Sequence, residues 1–341
     1  MPPFFVSIVH NYFMNDYSDH IAIIGAGISG LALGCTLKKA GVPCIIFERS
    51  SGISEYGAGI SISPNGLRVL KYLNIDKQLK EKSGNPEKAS LFSNGTKITS
   101  FPVEVVTTSR QTLYKVLLES YLSLSGEILF DHELSEIDLD TPTIHFSNKL
   151  SFTVMHIAAC DGIKSFCRKQ CIPLSGEALY SGYSVWRAIE ERKQENIETH
   201  LGANFHIVTY PINENRTSFV AAIKTTQAHE ESWKAKGSYE EMSSELPSQV
   251  EDIISSLKLN NDLFKWGVFT RPKAKNLYAN NITFLGDAAH PIVPFIGQGG
   301  CLALEDAYTF GELVSKFQND FDKIQPCYQS LRLKRVNRIQ R

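Results

Sequence analysis

The 341-residue chain has no excess of charge of either sign: 35 Lys and Arg stand against 36 Asp and Glu, a formal net charge of -1. That balance excludes the basic face of a general nucleic-acid binder, and an apolar content of 43% excludes a disordered chain. Internal repeats and low-complexity tracts are missing, so solenoids and fibres are excluded too. Cysteine occurs without a pattern. Cys35, Cys44, Cys160, Cys167, Cys171, Cys301 and Cys327 are odd in number, form no C-x-x-C pair and have no histidine at zinc spacing. They read as reduced thiols of a cytoplasmic protein, with neither a disulfide framework nor a metal site. The N-terminal stretch lacks the basic region and small-residue cleavage site of a secretory signal, and residues 1–13 show no periodicity, which makes Met14 a candidate start. The uncharged run Ile21 to Leu37 is broken by Gly25, Gly27, Gly30 and Gly34. A lipid-facing span needs about 20 apolar residues, so the run suits a tight turn instead.

What is present is α/β grammar at both ends of the chain. HIAIIG from His20 is a buried strand, Ile28 to Ala40 has helical spacing, Gly41-Val42-Pro43 breaks it, and CIIF is a second strand, together a βαβ unit. Helices are expected near Leu67–Leu79 and over Arg110–Ser123. Residues 128–156 alternate as a meander of short strands, and further strands are expected over Tyr183–Ala188, Ala203–Pro211, Thr217–Lys224 and Phe264–Thr270, with a hairpin at NENR and helix over 239–258. ITFLGDAAH then reads as strand and turn, and Gly300 to Lys316 as helix. The expectation is a Rossmann-like dinucleotide-binding domain built from 18–72, 103–175 and 273–341. A mostly antiparallel β-sheet domain, from 73–102 and 176–272, is inserted into it.

Gly25-Ala26-Gly27-Ile28-Ser29-Gly30 lies between strand and helix, and Glu48 ends the next strand. Glycines let the backbone approach a pyrophosphate, the helix N-terminus attracts its charge, and a carboxylate about 20 residues on accepts from ribose hydroxyls. NAD and FAD share this fingerprint. Two further segments separate them: Cys160-Asp161-Gly162-Ile163-Lys164-Ser165-Phe166-Cys167-Arg168, and Gly286-Asp287-Ala288-Ala289-His290-Pro291 running on to Gly297-Gln298-Gly299-Gly300-Cys301 and Glu305-Asp306.

With these three motifs in this order, the chain from His20 to Arg341 resembles the single-component (group A) flavoprotein monooxygenases of the para-hydroxybenzoate hydroxylase fold. Its Gly-Gln-Gly-Gly-Cys stretch is similar to salicylate-hydroxylase-like, urate-hydroxylase-like and zeaxanthin-epoxidase-like members. The resemblance implies FAD as cofactor and NADPH or NADH as transient electron donor. It also implies O2 as co-substrate, and hydroxylation or epoxidation of a small aromatic or unsaturated molecule through a C4a-hydroperoxide of the flavin. It assigns Gly25, Gly27, Gly30, Glu48, Asp161, Gly286 and Asp287 to FAD, with Asp287 at the ribityl chain. Gly297, Gln298, Gly299 and Gly300 fall at a helix start whose N–H groups would face the flavin, and Pro294 stiffens the loop against the ring. Gly59, in Gly57-Ala58-Gly59-Ile60, would run beside the isoalloxazine, and Arg110 would reach the flavin side of the pocket. Arg49 is either near the adenosine or solvated. His290 is mainly structural in this family.

For the substrate, alternation places Asn204, His206, Val208 and Tyr210 on one face of their strand and Phe205, Ile207 and Thr209 on the other. The first set is the pocket candidate; a hydrated outer face is the alternative. Arg187 shares a face with Tyr183 and Val185, opposite Trp186, and Phe295 either meets the substrate or packs. Urate-hydroxylase-like members carry an arginine where this chain has His206, a departure that weakens a urate assignment. No catalytic side chain is required, because the flavin carries the chemistry. A second dinucleotide fingerprint is missing, which argues against disulfide-reductase-type flavoproteins, and the W-x-W-x-I-P string of halogenases does not occur. A flavin reductase, an antibiotic-inactivating oxygenase and a non-catalytic flavin protein are the alternatives, the last supported by an end that is short for the family. The basic end LRLKRVNRIQR reads as a solvated helix face rather than a membrane contact, and the protein as monomer or homodimer.

Overall fold

The computed structural model describes residues 16–52, 59–172, 178–225, 235–259 and 262–340. Met14, Gly57 and Ala58 lie outside them. Strand β1 (Tyr17–Ile24) starts earlier than His20 and leads into α1 (Ile28–Lys39) and β2 (Cys44–Phe47). Then come β3 (Gly59–Ile62), α2 (Pro64–Tyr72), α3 (Asp76–Glu81), β4 (Lys88–Ser93), β5 (Thr96–Pro102), β6 (Val106–Ser109) and α4 (Arg110–Ser123). The single helix expected over Leu67–Leu79 is two helices, because the chain turns at Asn74, whose φ of 62° is left-handed; asparagine tolerates that region better than most residues. The meander is β7 (Ile128–Leu129), β8 (Leu134–Asp138), β9 (Thr143–Phe146) and β10 (Ser151–Ala159), followed by α5 (Phe166–Cys171).

Next come β11 (Leu179–Glu190), β12 (Ile197–Leu201), β13 (Phe205–Pro211), β14 (Thr217–Lys224), α6 (Tyr239–Glu245), α7 (Glu251–Ile254) and β15 (Phe264–Thr270). The continuous helix expected over 239–258 is broken after α6, where Pro247 offers no N–H and short 3-10 turns take over. Last are β16 (Tyr278–Ala279), β17 (Ile282–Phe284), α8 (Gly299–Phe317) and α9 (Phe321–Ile339).

The first sheet runs β16-β17-β10-β1-β2-β7 and is parallel from β17 to β7. Its central strands are covered on both faces, which is why they read as unbroken apolar runs: Ile21, Ala22, Ile23, Ile45 and Ile46 are fully buried. The register sets Ile24 beside Ala159 and Phe47, and Ala159 beside Phe284. The residues that follow, in the Gly25, Cys160 and Leu285 turns and at Glu48, therefore leave the same edge of the sheet side by side, where ligands of open α/β sheets bind.

The second sheet runs β15-β11-β14-β13-β12-β4-β5, antiparallel except where β12 meets β4. Trp186, Ile207, Phe219 and Ala221 on its back pack against Met242, Leu246 and Ile254 beneath α6 and α7. Val185, Ala222, Trp266 and Val268 on its front join Val293 and Phe295 from the β17–α8 loop. The front therefore faces the first sheet's motif loops.

Candidate functional site

A cleft of ≈ 1270 Å³ opens between the motif turns and the front of the second sheet. It exceeds the 300–1,000 Å³ usual for a drug-sized ligand, so it has room for a dinucleotide and a small second molecule. Of the residues expected at a cofactor, Gly25, Gly27, Glu48, Arg49, Arg110, Asp161 and Asp287 line it, and so does Arg187 from the sheet.

The first turn is built by exclusion. Gly25 has φ +102°, and a Cβ there would come 2.7 Å from the Cys160 carbonyl. A Cβ on Gly30 would meet the Gly25 carbonyl at 2.0 Å, so Gly30 serves the turn and is not on the cleft wall. At Gly27 a Cβ would point into open space, the cradle a close-approaching ligand needs. Helix α1 follows Gly27 with neither a side-chain cap nor an acidic residue in its first turn, leaving backbone donors and a positive dipole end for an anion. Glu48 is held in place beside it: one oxygen accepts from Ala26 N at 2.8 Å and the other from Ser50 N at 2.9 Å and Ser50 Oγ at 2.8 Å.

Both carboxylate oxygens of Asp161 are engaged in its own turn, accepting from Ser165 Oγ at 2.6 Å and Cys167 N at 3.0 Å. Arg168, the last residue of the second motif, ties two motifs together. Its guanidinium donates to the Ile163 carbonyl at 2.9 Å and to those of Asp287 and Ala288 at 3.2 and 2.7 Å. Burial raises Asp287 above the usual carboxylate range, opposed by Arg110, His290, Arg271 and Arg168.

Gly286, Pro294, Gly297, Gln298, Gly299 and Gly300 lie away from the lining of this cleft. Two of them fit the α8 start against β3: a Cβ on Gly300 would meet Ile60, and one on Gly297, at φ +62°, would meet Ser61. The α8 start has no side-chain cap and no acid in its first turn. Gly59 also has a packing reason to be glycine, since a Cβ would fall 2.3 Å from Ser218 Oγ and 2.6 Å from the Tyr210 hydroxyl.

On the sheet front, register aligns Trp266, Val185, Ala222 and His206 in one row, Phe264, Arg187, Val220 and Val208 in the next, and Ile189, Ser218 and Tyr210 in a third. His206 and Tyr210 are thus on the inward face, and Trp186, fully buried behind, is not. Arg187 sits 5.0 Å above the Trp266 ring. Burial pulls its guanidinium below the usual arginine range; Arg110 adds to this and Tyr210 opposes it. Phe295 packs between Tyr183 and His206, its ring centroid 5.4 and 5.6 Å from theirs. Burial keeps His206 below the ordinary imidazole value and Tyr210 above the ordinary phenol value, so neither is charged near neutrality. Trp266 and Phe264 belong to this wall through a strand alternation visible in FKWGVFT, but alternation does not say which face turns inward.

The FAD binding domain model matches residues 19–337. The chain belongs to that family. It is 26% identical to the 3-amino-4-hydroxybenzoate 2-monooxygenase PtnB3 of Streptomyces platensis, over 96% of this chain and 87% of that one. It is also 26% identical to the 3-hydroxybenzoate 6-hydroxylase of Polaromonas naphthalenivorans (strain CJ2), over 94% and 85%. Among solved structures, Klebsiella pneumoniae HpxO complexed with FAD and uric acid shares the fold, with a TM-score of 0.83 at 22% identity over 94% of this chain and 86% of that one. The protein is an FAD-dependent monooxygenase, and NAD(P)H is the electron donor general to such enzymes.

Proposed function

We propose that this enzyme hydroxylates a small aromatic acid, held between the sheet front and FAD in the cleft. The observation that carries this reading is the shared cavity: the walls that suit a dinucleotide and the wall bearing Arg187, Trp266 and Phe264 enclose one space. The relatives named above act on hydroxylated benzoates, in line with such a substrate.

The residues fit the cofactor. The Gly25–Gly27 turn and the uncapped start of α1 would take the pyrophosphate, Glu48 the ribose and Asp287 the ribityl chain, all from the cleft wall. Bound FAD, reduced by NAD(P)H, would supply the activation of O2, from which the transferred oxygen atom comes. The protein's part is to bind, orient and keep out water. Arg187 pairs with the substrate's anionic group, and the Trp266 and Phe264 rings supply an apolar wall. Tyr210, a neutral phenol, and the Ser218 hydroxyl are buried behind this wall, beside Gly59 of β3. His206, neutral and beside Phe295, offers an imidazole nitrogen that accepts a phenolic proton. The seven unpaired cysteines, five of them buried, favour a reducing compartment such as the cytoplasm.

Purified protein incubated with FAD, NAD(P)H and a panel of hydroxybenzoates tests this. Substrate-stimulated NAD(P)H consumption with label from 18O2 in the product is expected. Colourless protein that takes up no FAD overturns the reading, and NAD(P)H oxidation without labelled product makes it a reductase.

A further inference from the structure

We propose that the acidic pair Glu305–Asp306 of α8, neutralised by Arg332 and Arg335 of α9, is the hub that fixes the Gly286–Gln298 loop, making Arg332 a positioning residue for FAD. The inference rests on the reading that this loop faces the cofactor.

The loop needs such a hub. Between β17 and α8 the chain makes only two short 3-10 turns, Gly286–Ala288 and Pro294–Ile296, so little of its shape comes from its own backbone ladder. Yet it carries Asp287 on the cleft wall and Phe295 against the sheet front. Besides Arg168 on its Asp287 and Ala288 carbonyls and Ser63 on Gln298, it is anchored from α8 and α9 and through Asn65. At its start, Gly286 N donates to Asp306 Oδ2 at 2.9 Å and His290 Nε2 to the same oxygen at 2.5 Å. At its end, the Asn65 amide donates both to Gln298 Oε1 at 3.2 Å and to Glu305 Oε1 at 2.7 Å. In the middle, Gln340 Nε2 donates to the Pro291 carbonyl at 3.0 Å. Start and end converge on the two adjacent acids, and the middle is held from the end of α9.

The acids are in turn held by α9. Arg332 Nε donates to Asp306 Oδ1 at 2.6 Å, its Nη1 to Glu305 Oε2 at 2.5 Å and its Nη2 to the Leu302 carbonyl at 3.3 Å; Arg335 bonds Glu305 as well. Asp306 is fully buried and Arg332 only 4% exposed, so a carboxylate left without its guanidinium must protonate or pull toward water. Either response releases Gly286 N–H and His290. Burial would raise Asp306, but His290 and Arg332 outweigh it and keep the carboxylate ionised. Lysine, with a point charge in place of a planar fork, cannot bridge both acids and a carbonyl in this way.

The test compares wild type, Arg332→Gln, Arg332→Lys and Gln340→Ala by titrating FAD into FAD-free protein, with the bound flavin's visible spectrum and the FAD-free melting temperature recorded for each. Arg332→Gln is expected to raise the Kd for FAD about tenfold or more and to alter the bound spectrum, with Arg332→Lys intermediate. Gln340→Ala, which removes one neutral hydrogen bond, is expected to raise it about two- to tenfold while the FAD-free protein melts as wild type does. Folded variants that bind FAD with wild-type affinity and spectrum overturn the proposal, and if Arg332→Gln does not fold, an unchanged Kd in Gln340→Ala does so alone. Wild-type protein that takes up no FAD overturns the cofactor reading itself, and the positioning role with it.

Discussion

At the scale of single residues, the proposed reading makes Arg187 the point where fold and specificity meet. Its strand, β11, sends Trp186 backward into a packed core and Arg187 forward over Trp266, so one position in the alternation separates a core residue from one on the cleft wall. A guanidinium stacked on an indole in a cleft is pre-organised for a planar anion, and the strength of a charged hydrogen bond, roughly 1.5–3 kcal/mol, sets what its loss costs. Arg187→Met keeps the length and apolar stem of the side chain. We expect the KM for an aromatic acid to rise about ten- to hundredfold, with FAD content unchanged and a smaller change for a neutral phenol. Steady-state kinetics on the acid and on its amide decide the matter: equal losses on both would mean that Arg187 does not read the charge.

At the scale of elements, the sheet's two faces can be separated by mutation. On the back, Lys265 lies beneath α6, within 2.8 Å of Glu241 and 2.5 Å of Glu245, 5.0 Å from the Trp186 ring; Trp186 Nε1 donates to Glu245 at 2.9 Å. Removing the buried cation strands two partly exposed carboxylates, so Lys265→Met should destabilise the fold by about 1–3 kcal/mol and leave FAD affinity as it was. Denaturant unfolding beside flavin titration checks both halves, and a loss of FAD affinity would show that the two faces are coupled. The same scale explains what the sequence made legible. The β1-α1-β2 unit and the three cofactor motifs were readable because buried parallel strands and glycine turns leave strong local signals. The Arg187 and His206 strands were readable as alternation, yet their inward faces were not, since both faces are covered. The breaks at Asn74 and Pro247 override helical periodicity through one backbone residue each. Strand β12 is short and half-buried, with little apolar contrast to mark it. Arg168 and Arg332 act through carbonyls and acids distant in sequence, a role that residue type alone does not reveal.

At the scale of the molecule, the pH response is set by buried groups. His156 is fully buried on β10, stacked on Phe321 with ring centroids 3.8 Å apart and Nε2 3.0 Å from Thr283 Oγ1. Burial pushes its pKa from 6.5 down to about 3. Between those values the unfolded chain binds a proton that the folded chain refuses, so stability falls as pH drops from 6.5, by on the order of 5 kcal/mol at the acid end. His290 works in the opposite sense. Burial would lower it, but Asp306 holds it above its ordinary value, so its contribution is complete below pH 6.5 and is lost as pH rises through the raised value. Asp306 and Glu305, both held below their ordinary values of 3.8 and 4.5, stabilise the fold above those values and lose that contribution only as pH falls through their lowered ones. The acid limb therefore has two parts, a histidine part from 6.5 downward and a carboxylate part that joins below about 4.5. His156→Phe keeps a ring against Phe321, and Thr283 retains its contact with Gln325. Urea unfolding of this variant should give a clearly shallower decline between pH 6.5 and 4.5 than the wild type shows, the remainder coming from His200 and His206, which burial also holds below the ordinary value. Parallel declines of the two proteins across that interval would mean that His156 is not the group that titrates.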